Sequence, residues 1–220
     1  MGTLLFNLEN VNVTYNDLII LRQVNLQIES GEKVALVGPS GTGKTSLLHK
    51  LYQLRPRECA FIQQHFALVP QLSVIHNIHL KSMDHLSILF NLINLVMPQK
   101  KNKKMMTILK KIGMEEKMFV KVGQLSNNQQ QRVAVGRAIY QGKPILLADE
   151  PVASMDSSQA DAILNMFIGT KKTVVMALHS VELTLKFAQR IVGLCAGRIC
   201  FDLPVDQVTP DYITDLYLSG

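Results

Sequence analysis

Apolar and polar positions alternate through residues 4–15 (LLFNLENVNVTY) and 24–29 (VNLQIE), with Asn16-Asp17 and Ser30-Gly31 as breaks, so the chain opens with strands and turns. From Val34 to Val37 the alternation gives way to a continuous apolar run, as expected of a short strand buried on both faces. That run leads directly into a glycine-rich turn, Gly38 to Thr45, and residues 46–54 (SLLHKLYQL) then carry helical spacing. Further buried strands are expected at Ile145 to Ala148, Thr173 to Leu178 and Ile191 to Leu194, the last turning at Ala196-Gly197 into Arg198 to Phe201. Between the first two of these, Ala160, Ile163, Leu164, Phe167 and Ile168 recur at i, i+3, i+4, i+7 and i+8, a helix that Asp156 or Ser157 can cap.

Strands alternating with helices imply an α/β fold whose parallel sheet is covered on both faces. Residues 76–142 show no convincing strand, so they are read as a helical subdomain inserted between two parts of an α/β core, 1–75 and 143–220. A chain of 220 residues suits one such domain, and 47% hydrophobic against 18% charged residues excludes a mainly disordered or fibrous protein.

No charged-then-apolar leader opens the sequence and no run of 18 apolar residues occurs, so a membrane role is expected to run through a partner. The greasiest stretch, Leu86 to Met97, is interrupted by Ser87, Asn91 and Asn94 and reads as a buried or interface helix. The formal charge of +6 is confined to Lys100–Lys121, where eight lysines face Glu115 and Glu116. Met105, Met106, Ile108, Leu109 and Ile112 lie among them at helical spacing, which marks a solvated helix face rather than a nucleic-acid surface. Cys59, Cys195 and Cys200 lack the spacing of a disulfide framework or a zinc site and are read as free thiols, which suits the reducing cytosol.

Chemistry concentrates in two places. Gly38-Pro39-Ser40-Gly41-Thr42-Gly43-Lys44-Thr45 satisfies G-x-x-x-x-G-K-[ST] in the strand-to-helix context that the pattern requires. Its glycines let backbone N–H groups fold around phosphate oxygens at the positive end of the helix opened by Thr45 and Ser46. Lys44 adds a point charge at the β- and γ-phosphates, and Thr45 offers a hard oxygen to Mg²⁺. About a hundred residues later a buried strand ends in Asp149-Glu150, where open α/β sheets bind ligands. Asp149 can hold Mg²⁺, and Glu150 can deprotonate the water that attacks the γ-phosphate.

With these motifs placed, the chain resembles the ATP-binding subunits of ABC transporters across almost its whole length. Tyr15 resembles the aromatic that stacks on adenine and Gln64, in FIQQHFALVPQLSV, the Q-loop glutamine. LSNNQQQRVAVGRA, with Ser126 and Gln129, resembles the signature region, Ser154-Met155-Asp156 the D-loop, and His179 the switch histidine. The resemblance implies a P-loop NTPase core of the ABC ATPase type, with ATP and Mg²⁺ as cofactors and Gln64 as a further Mg²⁺ and water contact. Two copies would pack head to tail, Ser126 capping the γ-phosphate bound by the partner. It also implies a polytopic permease, an indirect link to a solute-binding protein, no nucleic-acid partner, and a peripheral position on the cytoplasmic face of the inner membrane. The segments LLADEPVASMD and HLSILFNLINLVMPQKKNKKMMTILKKIGMEEK are most similar to phosphonate importers.

Two features depart from the family pattern. Where it usually has Leu-Ser-Gly-Gly-Gln, this chain has Leu125-Ser126-Asn127-Asn128-Gln129, and each amide can either donate a hydrogen bond or obstruct closure, which leaves a weakly hydrolysing dimer as the alternative. Lys44 and Gln64 are also close in sequence, so an abbreviated antiparallel β subdomain is expected. Phe66, Val69, Leu72 and Val74 are candidates for contact with a membrane subunit. A soluble ABC ATPase acting on nucleic acid is the rival, with the basic stretch at 100–121 as its support.

Overall fold

The computed structural model describes residues 2–15, 17–80, 103–169 and 173–218. Two long antiparallel strands, β1 (Leu4–Tyr15) and β2 (Leu18–Glu29), form a separate two-stranded sheet. Alternation makes it one-sided: Phe6, Leu8 and Val13 on β1 and Leu21, Val24, Leu26 and Ile28 on β2 point into the core. Its register slips where Asn10 and Gln23 take positive φ, and the freed amides donate to Asn25 Oδ1 and Asn12 Oδ1 at 2.9 and 3.0 Å.

The main sheet has the order β4-β5-β6-β3-β7-β8, with β3 (Lys33–Val37), β4 (Cys59–Ile62), β5 (Ile145–Asp149), β6 (Thr173–Ala177), β7 (Arg190–Cys195) and β8 (Arg198–Pro204). All pairs are parallel except β7 with β8. Strands β3, β5 and β6 are buried at every residue, which explains their unbroken apolar runs. Successive residues serve opposite faces. Ile145, Leu147, Val175 and Ala177 join the β1–β2 sheet and α1 (Lys44–Leu54), whereas Leu146, Ala148, Val174 and Met176 join a second core.

That second core holds α2 (Val74–His79), α3 (Lys103–Lys111), α4 (Asn127–Gln141) and α5 (Ser157–Ile168). As the pattern predicts, α3 buries Met105, Ile108 and Leu109 while its lysines face outward. Asp156, not Ser157, caps α5, accepting from Gln159 N at 2.9 Å. Helices α6 (Val181–Phe187) and α7 (Pro210–Leu218) cover the β7–β8 end, α7 opening on a proline at its first position. The stretch Leu86 to Met97, with Lys100 and Lys101, lies outside the described residues.

Two expectations are corrected, and one strand is added to those read from the pattern. Val74 is fully buried in the second core and offers no outward contact, whereas Phe66, Val69 and Leu72 are half-buried. Strand β4 was not distinguishable by pattern, being four residues long and carrying Cys59 and Ala60. Cys195 and Cys200 are joined by a disulfide, leaving Cys59 as the free thiol. The turn at Ala196-Gly197 folds β8 back on β7, and a register shift after Gly193 makes Cys200 an extra residue, bringing the two Cα atoms to 5.9 Å. A separation of five residues cannot reveal this in sequence.

Burial pushes the Cys59 thiol up to about 12, so it is unreactive in the folded chain. Denatured without reductant, the protein is expected to titrate one thiol and to weigh two hydrogen masses less than its reduced form. Three titratable thiols before reduction would contradict the pairing.

Candidate functional site

The carboxyl ends of β3, β5 and β6 converge because β6 pairs with both neighbours: Ala177 lies beside Leu36 on one side and Asp149 on the other. The glycine-rich turn leaves β3 there. Gly38 has φ 143°, and a Cβ on it would lie 2.2 Å from Leu194 O; Gly43 has φ 103°, and a Cβ on it would lie 2.7 Å from the Leu21 side chain. Only glycine fits either position without displacing β7 or β2. Gly43 is also the N-cap of α1, with no side-chain cap and no acidic residue in the first turn, so the helix presents uncovered N–H groups and its positive end. Ser40 and Gly41 lie exposed on the turn.

Lys44 is 6% exposed, and its Nζ donates to Gly38 O at 2.6 Å and Pro39 O at 2.9 Å, within its own loop. Burial lowers its pKa, opposed by the nearby charges of Glu150 and Asp149. Thr45 Oγ1 donates to Asp149 Oδ2 at 2.7 Å, joining the loop to the end of β5, and Ser46 is half-buried behind it. Asp149 is 2% exposed; burial raises its carboxyl above the usual range, and the Thr45 hydrogen bond partly offsets this.

Glu150 follows with φ 50°, a conformation that costs energy in any residue with a side chain. Both its backbone groups are held, N–H by Ala177 O at 3.2 Å and C=O by Gln131 Nε2 at 2.8 Å. Its Oε1 accepts from His179 Nε2 at 2.6 Å, His179 standing just beyond β6. Gln64 is exposed in the loop after β4 and lines a cavity of about 440 Å³ with Asn127, Gln131, Glu150 and Ser154. Tyr15 is 65% exposed at the tip of the β1–β2 hairpin, whose Ile20 and Leu21 press on Gly43.

Ser126 and Gln129 stand apart from these groups. They form a capping box at the start of α4: Ser126 Oγ accepts from Gln129 N at 3.3 Å, and Gln129 Oε1 accepts from Ser126 N at 3.2 Å. The cavity against Pro39–Thr42, about 680 Å³, is lined instead by Phe201, Tyr212, Asp215, Leu216 and the hairpin with the disulfide.

Three residues escaped the sequence reading. Gln131 links α4 to Glu150. Tyr217, on α7, donates from its hydroxyl to Leu178 O at 3.2 Å, beside His179. Arg137 is 3% exposed, and its guanidinium donates to Phe66 O at 2.6 Å and Ala67 O at 2.7 Å, bracing two residues with positive φ just after Gln64. Burial pushes that guanidinium down to about 10. A polar residue inside an otherwise apolar helix run (VAVGRA) was the one available signal.

The raised Asp149 pKa has a stability consequence. Native protein keeps the proton over a pH range in which the unfolded chain has released it, so this group costs stability as pH rises through that range, fully so above it. Asp149→Asn is therefore expected to stabilise the fold by about 1 kcal/mol at neutral pH, a gain that shrinks on acidification. Melting curves from pH 7 downward check this, and a gain that grows toward low pH would contradict it.

The description "ABC transporter" fits residues 21–153. The chain is 35% identical to the phosphonates import ATP-binding protein PhnC of Pseudomonas entomophila, over 96% of this chain and 91% of that protein, and 32% identical to that of Lactococcus lactis subsp. cremoris, over 95% and 97%. Its structure is similar to the dimeric ATP-binding cassette MJ0796 in a post-hydrolysis state with ADP and Pi, at TM-score 0.74 and 28% identity, covering 93% of this chain and 99% of that one. An ATP-binding subunit of an ABC transporter shares the fold at TM-score 0.79 and 17% identity, over 96% and 98%. With its loop, acid pair and sheet order in place, the chain belongs to the ABC transporter family.

Proposed function

We propose that this chain is the ATP-hydrolysing subunit of an importer of phosphonate or a similar small solute, and that Lys44, Thr45, Asp149, Glu150, Gln64 and His179 act together at one nucleotide. The observation that carries this is the meeting of Thr45 with Asp149 and of Glu150 with His179 at the carboxyl end of the central strands. In the proposed domain plan, residues 1–75 and 143–220 form the nucleotide-binding core and about 76–142 the helical subdomain.

The uncovered N–H groups at the start of α1 receive the phosphates, and Lys44 exchanges its two loop carbonyls for β- and γ-phosphate oxygens. Tyr15, at the tip of the hairpin whose Ile20 and Leu21 reach Gly43, is exposed for stacking on the base. Mg²⁺ takes hard oxygen ligands and is usually held by one or two protein oxygens together with phosphate oxygens of the nucleotide. The Thr45 hydroxyl and Asp149 carboxylate are hard oxygens suited to it, with Gln64 across a cavity it shares with Glu150, and the ion would neutralise charge on the β- and γ-phosphates.

Glu150 takes the proton of the attacking water as the bond from the γ-phosphorus to the bridging oxygen breaks, giving ADP and inorganic phosphate. His179 orients the Glu150 carboxylate and meets the γ-phosphate. A second copy packed head to tail supplies Ser126 and Gln129 from its own α4. The half-buried Phe66, Val69 and Leu72 belong to the face offered to a permease, which holds the subunit at the cytoplasmic face of the membrane; no helix among the described residues is long and apolar enough to cross a bilayer. The relatives' name, phosphonates import ATP-binding protein, supports the solute class.

Glu150→Gln is expected to retain ATP binding, trap an ATP-bound dimer and lose at least about a hundredfold in turnover. Phosphate release and light scattering with ATP test it. Turnover at the parent rate would remove Glu150 from its role.

A further inference from the structure

Asparagines at 127 and 128 leave open whether the start of α4 is degenerate or rewired. We infer that Asn128 is a positioning residue for hydrolysis, whose side-chain amide ties the start of α4 to the Ser154 turn and so steadies the backbone that carries Glu150. The inference rests on Glu150 acting as the base.

Asn128 Nδ2 donates to Ser154 O at 2.8 Å. One turn along the same face, the buried Gln131 accepts at Oε1 from Ser154 N at 3.4 Å and from the Ser154 hydroxyl, and its Nε2 donates to Glu150 O at 2.8 Å. The N–H, hydroxyl and carbonyl of Ser154 are thus all held by α4. Asn128 Oδ1 is buried with no partner among the described residues, so the amide is oriented by Ser154 O, and a glycine at 128 would withdraw that donor. Beyond the turn, Asp156 is fixed as the N-cap of α5. The short segment from Glu150 to Asp156 is therefore tied to α4 at Glu150 and Ser154 and to α5 at Asp156, while Glu150 sits in a costly conformation that needs such support.

Asn128→Ala removes the donor without adding charge. Asn128→Leu keeps a similar volume, loses the donor, suits a helix interior and adds no charge near a nucleotide, so folding is maintained. In the full-length chain with Mg²⁺ and ATP, both variants are expected to lose about tenfold in kcat while KM for ATP stays within about twofold. Both are also expected to exchange amide hydrogen faster across residues 151–156. Parent-like kcat and exchange, or a KM that moves in step with kcat, would overturn the inference. Glu150→Gln run alongside separates the two readings: its loss of turnover beside parent-like Asn128 variants sinks the role of Asn128 alone, whereas parent-like turnover in Glu150→Gln sinks both.

Discussion

A hydroxyl and a carboxylate 104 residues apart, Thr45 and Asp149, meet at 2.7 Å, and the rest of the site depends on that meeting. Asp149 ends a strand buried at every residue, so its charge is costly there, and the Thr45 hydrogen bond offsets only part of that cost. What holds the two together is the packing of β6 between β3 and β5, a register in which Leu36, Ala177 and Asp149 align across the sheet. Shift β5 by one residue and the carboxylate would turn to the opposite face.

Strain gathers around this point. Glu150, Phe66 and Ala67 all have positive φ without being glycine. Each is braced by a side chain of α4, Glu150 by Gln131 and the other two by Arg137. One helix therefore sets the backbone on both sides of the site, close to Gln64 and at Glu150. Any movement of α4 would reach both, a physical route by which helical elements and nucleotide site act on each other.

Much of this was legible in the sequence because local pattern and chemistry coincide. Val34 to Val37 reads as buried strand, Gly38 to Thr45 as a phosphate loop, and Ile145 to Glu150 as a strand ending in acids, since each is contiguous. What was hidden depends on long-range register. Strand β4 is too short to show a period, the disulfide needs the bulge at Cys200, and Val74 reads as exposed until α2 is packed. Ser126 and Gln129 were found by resemblance, but the sequence spacing also spells the capping box they form, a local role that the resemblance obscured. Gln131 and Arg137 carried no signal beyond being polar in a helix.

Calorimetric titration of the folded chain with ATP, with magnesium present and then with it chelated, tests the account most directly. Saturable heat at one nucleotide per chain, with affinity falling when magnesium is removed, is the expected result. Absence of any binding heat from folded protein in the presence of magnesium would contradict it.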